Sequence, residues 1–322
     1  MLNTRTLVTF LGGLALIPCA IPDAIPSVIP SVSAEPLLIP GGTFSMGSNK
    51  GMADERPVHE VSVASFKLDI SPVSVGAFDA WLTHSHYETQ AETFGNSAVF
   101  DMDSGRWNMV TGANWQYPMG PGQEKAPNDH PVTQVSWHDA TQYCEAVGGR
   151  LPQEAEFEYA AKGAGQYGNP VYAFGDEIKK DGDFLVNVYN GQFPFKNTGA
   201  DGYLYTAPIG KTGITPLGLT DMAGNVWEWT ADWYGPYNGT PTKTEKTLRG
   251  GSFLCDQEVC HGYRTTGRTH STPESSLVHT GFRCAYDVIS SIPKTTMTTT
   301  VAKTVATTGA TTGATTTEGP AT

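Results

Sequence analysis

Two cysteines separated by four residues, Cys255 and Cys260, follow a glycine pair and Ser252 in RGGSFLCDQEVCHGYR, residues 249–264. Three chemistries suit such a pair: a structural disulfide, part of a metal site, or a working redox pair. A disulfide between them would close only a short loop, so its entropic contribution to stability would be small. Two thiolates on one loop suit Cu(I) instead, because soft sulfur ligands select it and a third sulfur can complete the set. Zinc would need four ligands, and only two are at hand. Gly250 and Gly251 allow close backbone approach, and the Ser252 hydroxyl is within reach to hydrogen-bond a thiolate or a bound oxygen. From spacing alone, the local disulfide and the metal pair both stay open.

The chain has five cysteines. Cys19 falls in an N-terminal apolar run and should leave with it, so Cys144, Cys255, Cys260 and Cys284 remain, with three possible pairings. A Cys144–Cys284 bond would tie a mid-chain helix to the end of the folded body and contribute roughly 4 to 5 kcal/mol in a chain-entropy treatment. That bond is expected. The eight histidines are scattered; His84 and His86 are the close pair, at a spacing that does not suit two ligands on one helix face, and they are read as solvated.

The elements that must position these residues are short. Thirty-six glycines and 22 prolines in 322 residues interrupt helical and strand periodicity and favour small strands joined by ordered loops. HPVTQVSWHDATQYCEAVGG, residues 130–149, predicts a helix capped by Ser136 and stopped at Gly148 and Gly149. RLPQEAEFEYAAKG predicts a second, with Pro152 in its first turn and Glu154 and Glu156 as capping charges rather than catalytic groups. No glycine-rich phosphate loop, G-x-S-x-G elbow or H-E-x-x-H is present. A formal net charge of -12 with 20 basic residues argues against nucleic acid as a partner.

Both ends read differently from the body. LVTFLGGLALI, residues 7–17, preceded by Arg5, is too short to span a membrane and suits a secretory signal, placed at residues 1–20. A Pro-rich lead-in, residues 21–36, follows. From Thr295 to Thr322, 14 of 28 residues are threonine, so residues 289–322 are read as a disordered tail suited to O-glycosylation. Asn238-Gly239-Thr240 is a sequon for an N-glycan. The folded body is residues 37–288, and the expected location is the secretory pathway, or the periplasm or exterior of a prokaryote, with no membrane span once the signal is removed.

LRGGSFLCDQEVCHGYRTTGRTHSTPESSLVHTGFRCAYD, residues 248–287, resembles the C-terminal signature of the formylglycine-generating enzymes, the sulfatase-modifying oxidases. The likeness continues through LTDMAGNVWEWTADWY, VNVYNGQFPFKNTGADGY, HPVTQVSWHDATQYC and RLPQEAEFEYAAKG back to PGGTFSMGS, residues 40–48. GNVWEW and RGGSF mark the wider fold family, whereas the Cys-x4-Cys pair after Gly-Gly-Ser marks the oxidase branch. The resemblance implies an irregular single α+β domain, C-type-lectin-like and poor in regular secondary structure. It implies oxidation of a cysteine in a Cys-x-Pro-x-Arg segment of a nascent sulfatase to Cα-formylglycine with copper and molecular oxygen. Under it, Cys255 and Cys260 are the copper-binding redox cysteines, Ser252 the active-site serine, and Cys144 and Cys284 the structural disulfide. It implies structural calcium at Asn187, Val188, Asp201 and Tyr203, and again at Asp221, Gly224, Val226 and Glu228.

The chain departs from the family at several positions. Asp256 stands where histidine is common, and its carboxylate should raise the pKa of the neighbouring thiol. An early calcium-linked glutamate falls at Pro72, and a further cysteine pair falls at Ala161 and Thr265. Arg264, Arg268 and Arg283 are read as structural braces, and the tryptophans of VWEWTADWY as core or cleft wall. A non-catalytic module of the same fold would keep GNVWEW without needing two free thiols. Iron-dependent sulfoxide synthases would need a His-x3-His-x-Glu site, which is absent.

Overall fold

The computed structural model describes residues 34–241 and 243–288. The signal, most of the lead-in and the threonine-rich tail lie outside the described residues. Fifteen short strands and four helices alternate with loops within them, an α+β arrangement as expected. β1 (Leu37–Ile39), β4 (Phe66–Leu68) and β15 (Ala285–Asp287) form an antiparallel sheet in the order β1-β4-β15, with Leu37 and Ala285 both paired to Leu68. The two ends of the body therefore meet on one strand.

A second sheet carries the cysteine loop. β11 (Trp227–Trp233) and β12 (Lys246–Arg249) pair antiparallel, β13 (Arg268–Ser271) flanks β12, and β14 (Thr280–Gly281) runs parallel to β11. Successive residues of β11 from Trp227 to Thr230 are all buried, so the strand is covered on both faces and lacks the polar alternation of a half-exposed one. Four hairpins complete the strands: β2 (Gly42–Met46) with β3 (His59–Val63), β5 (Asn96–Asp101) with β6 (Arg106–Thr111), β7 (Lys179–Lys180) with β8 (Asp183–Phe184), and β9 (Gly191–Gln192) with β10 (Lys196–Asn197).

Local chemistry accounts for the helices. α1 (Val75–Ser85) starts where the Ser74 hydroxyl accepts the Ala77 N–H at 3.2 Å, and its Val75, Phe78 and Trp81 face the core. α2 (Gln90–Phe94) is capped by Thr89. α3 (Trp137–Ala146) has the expected cap at Ser136, whose hydroxyl accepts the Asp139 N–H while Asp139 accepts the Ser136 N–H. Gly148, just past its end, has φ +81°, the left-handed conformation that ends helices. α4 (Glu154–Ala161) departs from expectation in detail. Its N-cap is Gln153, so Pro152 precedes the helix rather than sitting in its first turn. Glu156 is the capping charge, accepting the Gln153 N–H at 2.7 Å, whereas Glu154 turns inward to an ion pair.

Phe78, Trp81, Trp115, Tyr143 and Phe282 stack in one aromatic cluster beneath α1 and α3. Full burial of each such ring contributes roughly 1.5 to 3 kcal/mol. The Cys144–Cys284 disulfide is formed and links α3 to the residue just before β15 across 140 positions. Buried arginines bind loops that have few ladder hydrogen bonds. Arg283 holds Glu228 bidentately at 2.7 Å through Nε and Nη2 and donates to the carbonyls of Asp69, Ile70 and Thr220. Arg249 pairs with Glu158 and Glu154 of α4, and Arg268 pairs bidentately with Glu154. Arg264 pairs with Glu55. The arginines read as braces are braces.

Candidate functional site

The cysteine loop leaves β12 at Arg249. Gly250 and Gly251 turn it with φ +93° and +73°, and a Cβ on Gly251 would lie 2.5 Å from the Tyr263 backbone nitrogen. Only glycine lets the outgoing and returning strands of the loop touch there. Ser252 then accepts the Leu254 N–H on its hydroxyl at 3.2 Å and the Cys255 N–H on its carbonyl at 2.9 Å. Phe253 and Leu254 point into a small cluster with Phe100, Tyr189 and Val278, which anchors the loop from beneath.

Cys255 and Cys260 are both free thiols, unlinked to each other. Cys255 is buried and Cys260 is partly exposed. Burial, and then hydrogen bonding with Cys260, hold the Cys255 thiol well above the usual cysteine range. Hydrogen bonding with Cys255 pulls the Cys260 thiol below the usual range against its own burial. Ser252 Oγ lies 3.9 Å from the Cys255 sulfur. The Trp227 indole covers the Cys255 side, since a Cβ on Gly262 would collide with that ring and come within 3.3 Å of the sulfur.

The Asp256 charge opposes ionisation at Cys260, and its carboxylate turns toward the 259–260 backbone. His261 follows Cys260; its Nε2 is 2.9 Å from the Tyr172 hydroxyl, and burial followed by the Arg264 charge lowers its pKa.

A cleft of about 730 Å³ opens at Cys260. Residues 47–52 form one wall, residues 169–171 another, and residues 257–261 the third, with Lys162 at the floor. A smaller cavity of about 330 Å³ adjoins it at Lys162, Asn169 and Pro170 and runs on to Phe174 and Pro216. Glu55 joins the walls: it accepts from Arg264 and Thr266 on the cysteine side and from the Met52 N–H on the other. Burial works against that carboxylate, yet Arg264 and these donors still hold its pKa below the usual range. Glu55 could not be picked out along the chain, because its partner lies 209 residues away.

The two expected calcium sets differ in what they offer. In the first, Asn187 is fully buried and its Oδ1 has no hydrogen-bond partner, although its amide donates to the Tyr205 carbonyl and to Asn225. That orphaned buried oxygen suits a hard cation that takes oxygen ligands. Asp201 here accepts the Val188 and Tyr203 N–H groups, and the Val188 carbonyl accepts from Asn190. The second set fits less well. Both Glu228 oxygens accept from Arg283, while Asp221 accepts from Thr212, Asn225 and Gly210. Its carboxylates are already satisfied by the protein, leaving only the Gly224 and Val226 carbonyls. Among the described residues, no group of three or more His, Cys, Asp or Glu side chains could hold a metal ion by itself. No described helix is long and apolar enough to cross a membrane.

Comparison with known proteins places this geometry among relatives. The sulfatase-modifying factor enzyme 1-like domain matches residues 28–288. The formylglycine-generating enzyme of Streptomyces coelicolor is 41% identical over 279 residues, covering 77% of this chain and 88% of that protein. The inactive C-alpha-formylglycine-generating enzyme 2 of Bos taurus is 37% identical over 270 residues, covering 77% of this chain and 86% of that protein. Among solved structures, PvdO from Pseudomonas aeruginosa superposes with a TM-score of 0.58 at 27% identity, over 78% of this chain and 93% of that one.

Proposed function

Because the chain belongs to the sulfatase-modifying factor family, we propose that it is an enzyme that acts on a cysteine of sulfatases, generating Cα-formylglycine and so activating them. The finer reading is that the substrate is a nascent sulfatase segment of the form Cys-x-Pro-x-Arg, that molecular oxygen is the oxidant, and that Cys255 and Cys260 hold Cu(I). The observation that carries it is a pair of unlinked thiols, Cys260 lining an open cleft and Cys255 buried.

Each residue then has a task. Cys260 faces the cleft, so a substrate thiol entering there meets it first. Cys255 lies behind it, shielded from water by Trp227 and fixed by the Ser252 carbonyl, so both sulfurs are preorganised before substrate arrives. These two sulfurs would hold Cu(I), which when bound would supply the one-electron chemistry with oxygen that no side chain can. The substrate β-carbon loses one hydrogen and its thiol another, two electrons in all, and the sulfur leaves as sulfide on hydrolysis; oxygen ends as two waters with two further electrons from an added reductant. Calcium at the Asn187 set would brace the 187–203 loop beneath the site. A secretory location agrees with the N-terminal apolar segment and with the disulfide.

One observation favours a second reading: a relative named as inactive is nearly as similar as those named as enzymes. A non-catalytic binding module would not need the two free thiols. The deciding experiment incubates the purified protein with a Cys-x-Pro-x-Arg peptide, Cu(I), reductant and oxygen, and detects the aldehyde by mass and hydrazide trapping. Cys255→Ser is expected to abolish both Cu(I) binding and aldehyde formation. Turnover retained in that variant refutes the assignment.

A further inference from the structure

Asp256 is 6% exposed and has no cationic partner among the described hydrogen bonds and ion pairs, yet it closes the cysteine loop at three points. Its Oδ1 accepts the Val259 N–H at 2.7 Å and, more weakly, the Cys260 N–H at 3.4 Å. Its carbonyl accepts the His261 N–H at 2.7 Å. Residues 257–259 are otherwise the exposed rim of the cleft, and Val259 is 59% exposed with no core contact to hold it, whereas Cys260 is half-buried against the core. With Cys255 fixed from below by the Ser252 carbonyl and by the Tyr189 N–H, which donates to the Cys255 carbonyl, the free variable is where the turn carries Cys260. We propose that Asp256 is a positioning residue: its carboxylate ties the 257–260 turn so that the Cys260 sulfur stays opposite Cys255.

Such a clamp needs an acceptor at a set reach, not a charge. An aspartate oxygen here reaches the N–H groups three and four residues on, and an asparagine oxygen has the same reach. Glutamate keeps the charge but moves the acceptor by one methylene. The proposal deepens the copper reading and rests on it for its purpose, while the geometry it claims belongs to the metal-free protein.

The test measures the two sulfurs directly. In metal-free protein equilibrated with glutathione buffers, the fraction of Cys255–Cys260 disulfide, read by alkylation and mass, reports their effective concentration. Asp256→Asn should stay within about twofold of the parent, whereas Asp256→Glu and Asp256→Ala should lower it about tenfold, the loss expected for a hydrogen bond. Cu(I) affinity, measured against a chromophoric chelator, should separate the variants in the same order. Far-UV circular dichroism and melting confirm that each variant is folded; if Asp256→Ala does not fold, the Asn and Glu pair decides alone. An Asn variant as impaired as Glu overturns the proposal in favour of charge, and a Glu variant equal to the parent overturns it outright. If the thiol equilibrium splits as stated but no protein, parent included, makes aldehyde, the clamp stands and the enzyme reading fails.

Discussion

Replacing Asp69 by Asn tests how the fold handles a carboxylate at its most buried junction. Asp69 follows β4, and its Oδ2 accepts the Cys284 N–H at 2.9 Å, beside the disulfide, while its Oδ1 has no hydrogen-bond partner. Burial raises the Asp69 pKa from 3.8 to about 6, against the pull of the Cys284 N–H and the Arg283 charge. That rise corresponds to about 3 kcal/mol. Because the folded carboxyl holds its proton more tightly than the unfolded chain does, this contribution is fully present below about pH 4 and is lost as pH rises through about 6. Of the total, about 2 kcal/mol falls between about pH 4.5 and about pH 7.5. The nearby Tyr143 has its pKa raised by burial and then by Asp69, so it does not titrate in this window. The assay is urea unfolding of parent and Asp69→Asn across this range, comparing the difference between the two so that other carboxylates cancel. The parent should lose about 2 kcal/mol relative to the variant as pH rises. A difference that stays flat with pH, or grows in the opposite sense, refutes the reasoning.

Other expectations follow from single contacts. Glu228→Gln leaves Arg283 buried without its counter-charge and should cost about 3 to 5 kcal/mol in chemical unfolding. Gly262→Ala forces a Cβ into Trp227 and toward Cys255, so it should weaken Cu(I) binding and cost about 1 to 3 kcal/mol in chemical unfolding. Calcium at a hundredfold excess over its dissociation constant should stabilise the fold through the Asn187 set by about 2.7 kcal/mol, seen as a raised melting temperature, and Asn187→Ala should erase the response.

The cysteine pair, its glycine turn, the Ser136 cap and the Cys144–Cys284 bond could all be read from the chain, because each rests on residue type and local spacing or on a resemblance that runs in sequence order. The α4 start was misplaced by the pull of Pro152, since the cap was settled by Glu156 reaching back to Gln153. That the Asp256 carboxylate turns back onto the Val259 and Cys260 N–H groups was also hidden, because the chain does not say how the turn folds.

By itself the sequence determined that two sulfurs would share one short glycine-hinged loop in an irregular α+β body. Only tertiary structure decided which sulfur is dry and which is open, because burial depends on Trp227, Tyr189 and the Glu55–Arg264 wall, drawn from segments tens to hundreds of residues away. It likewise decided that Glu228 belongs to Arg283, 55 positions on, because a buried charge must find its partner in space rather than along the chain.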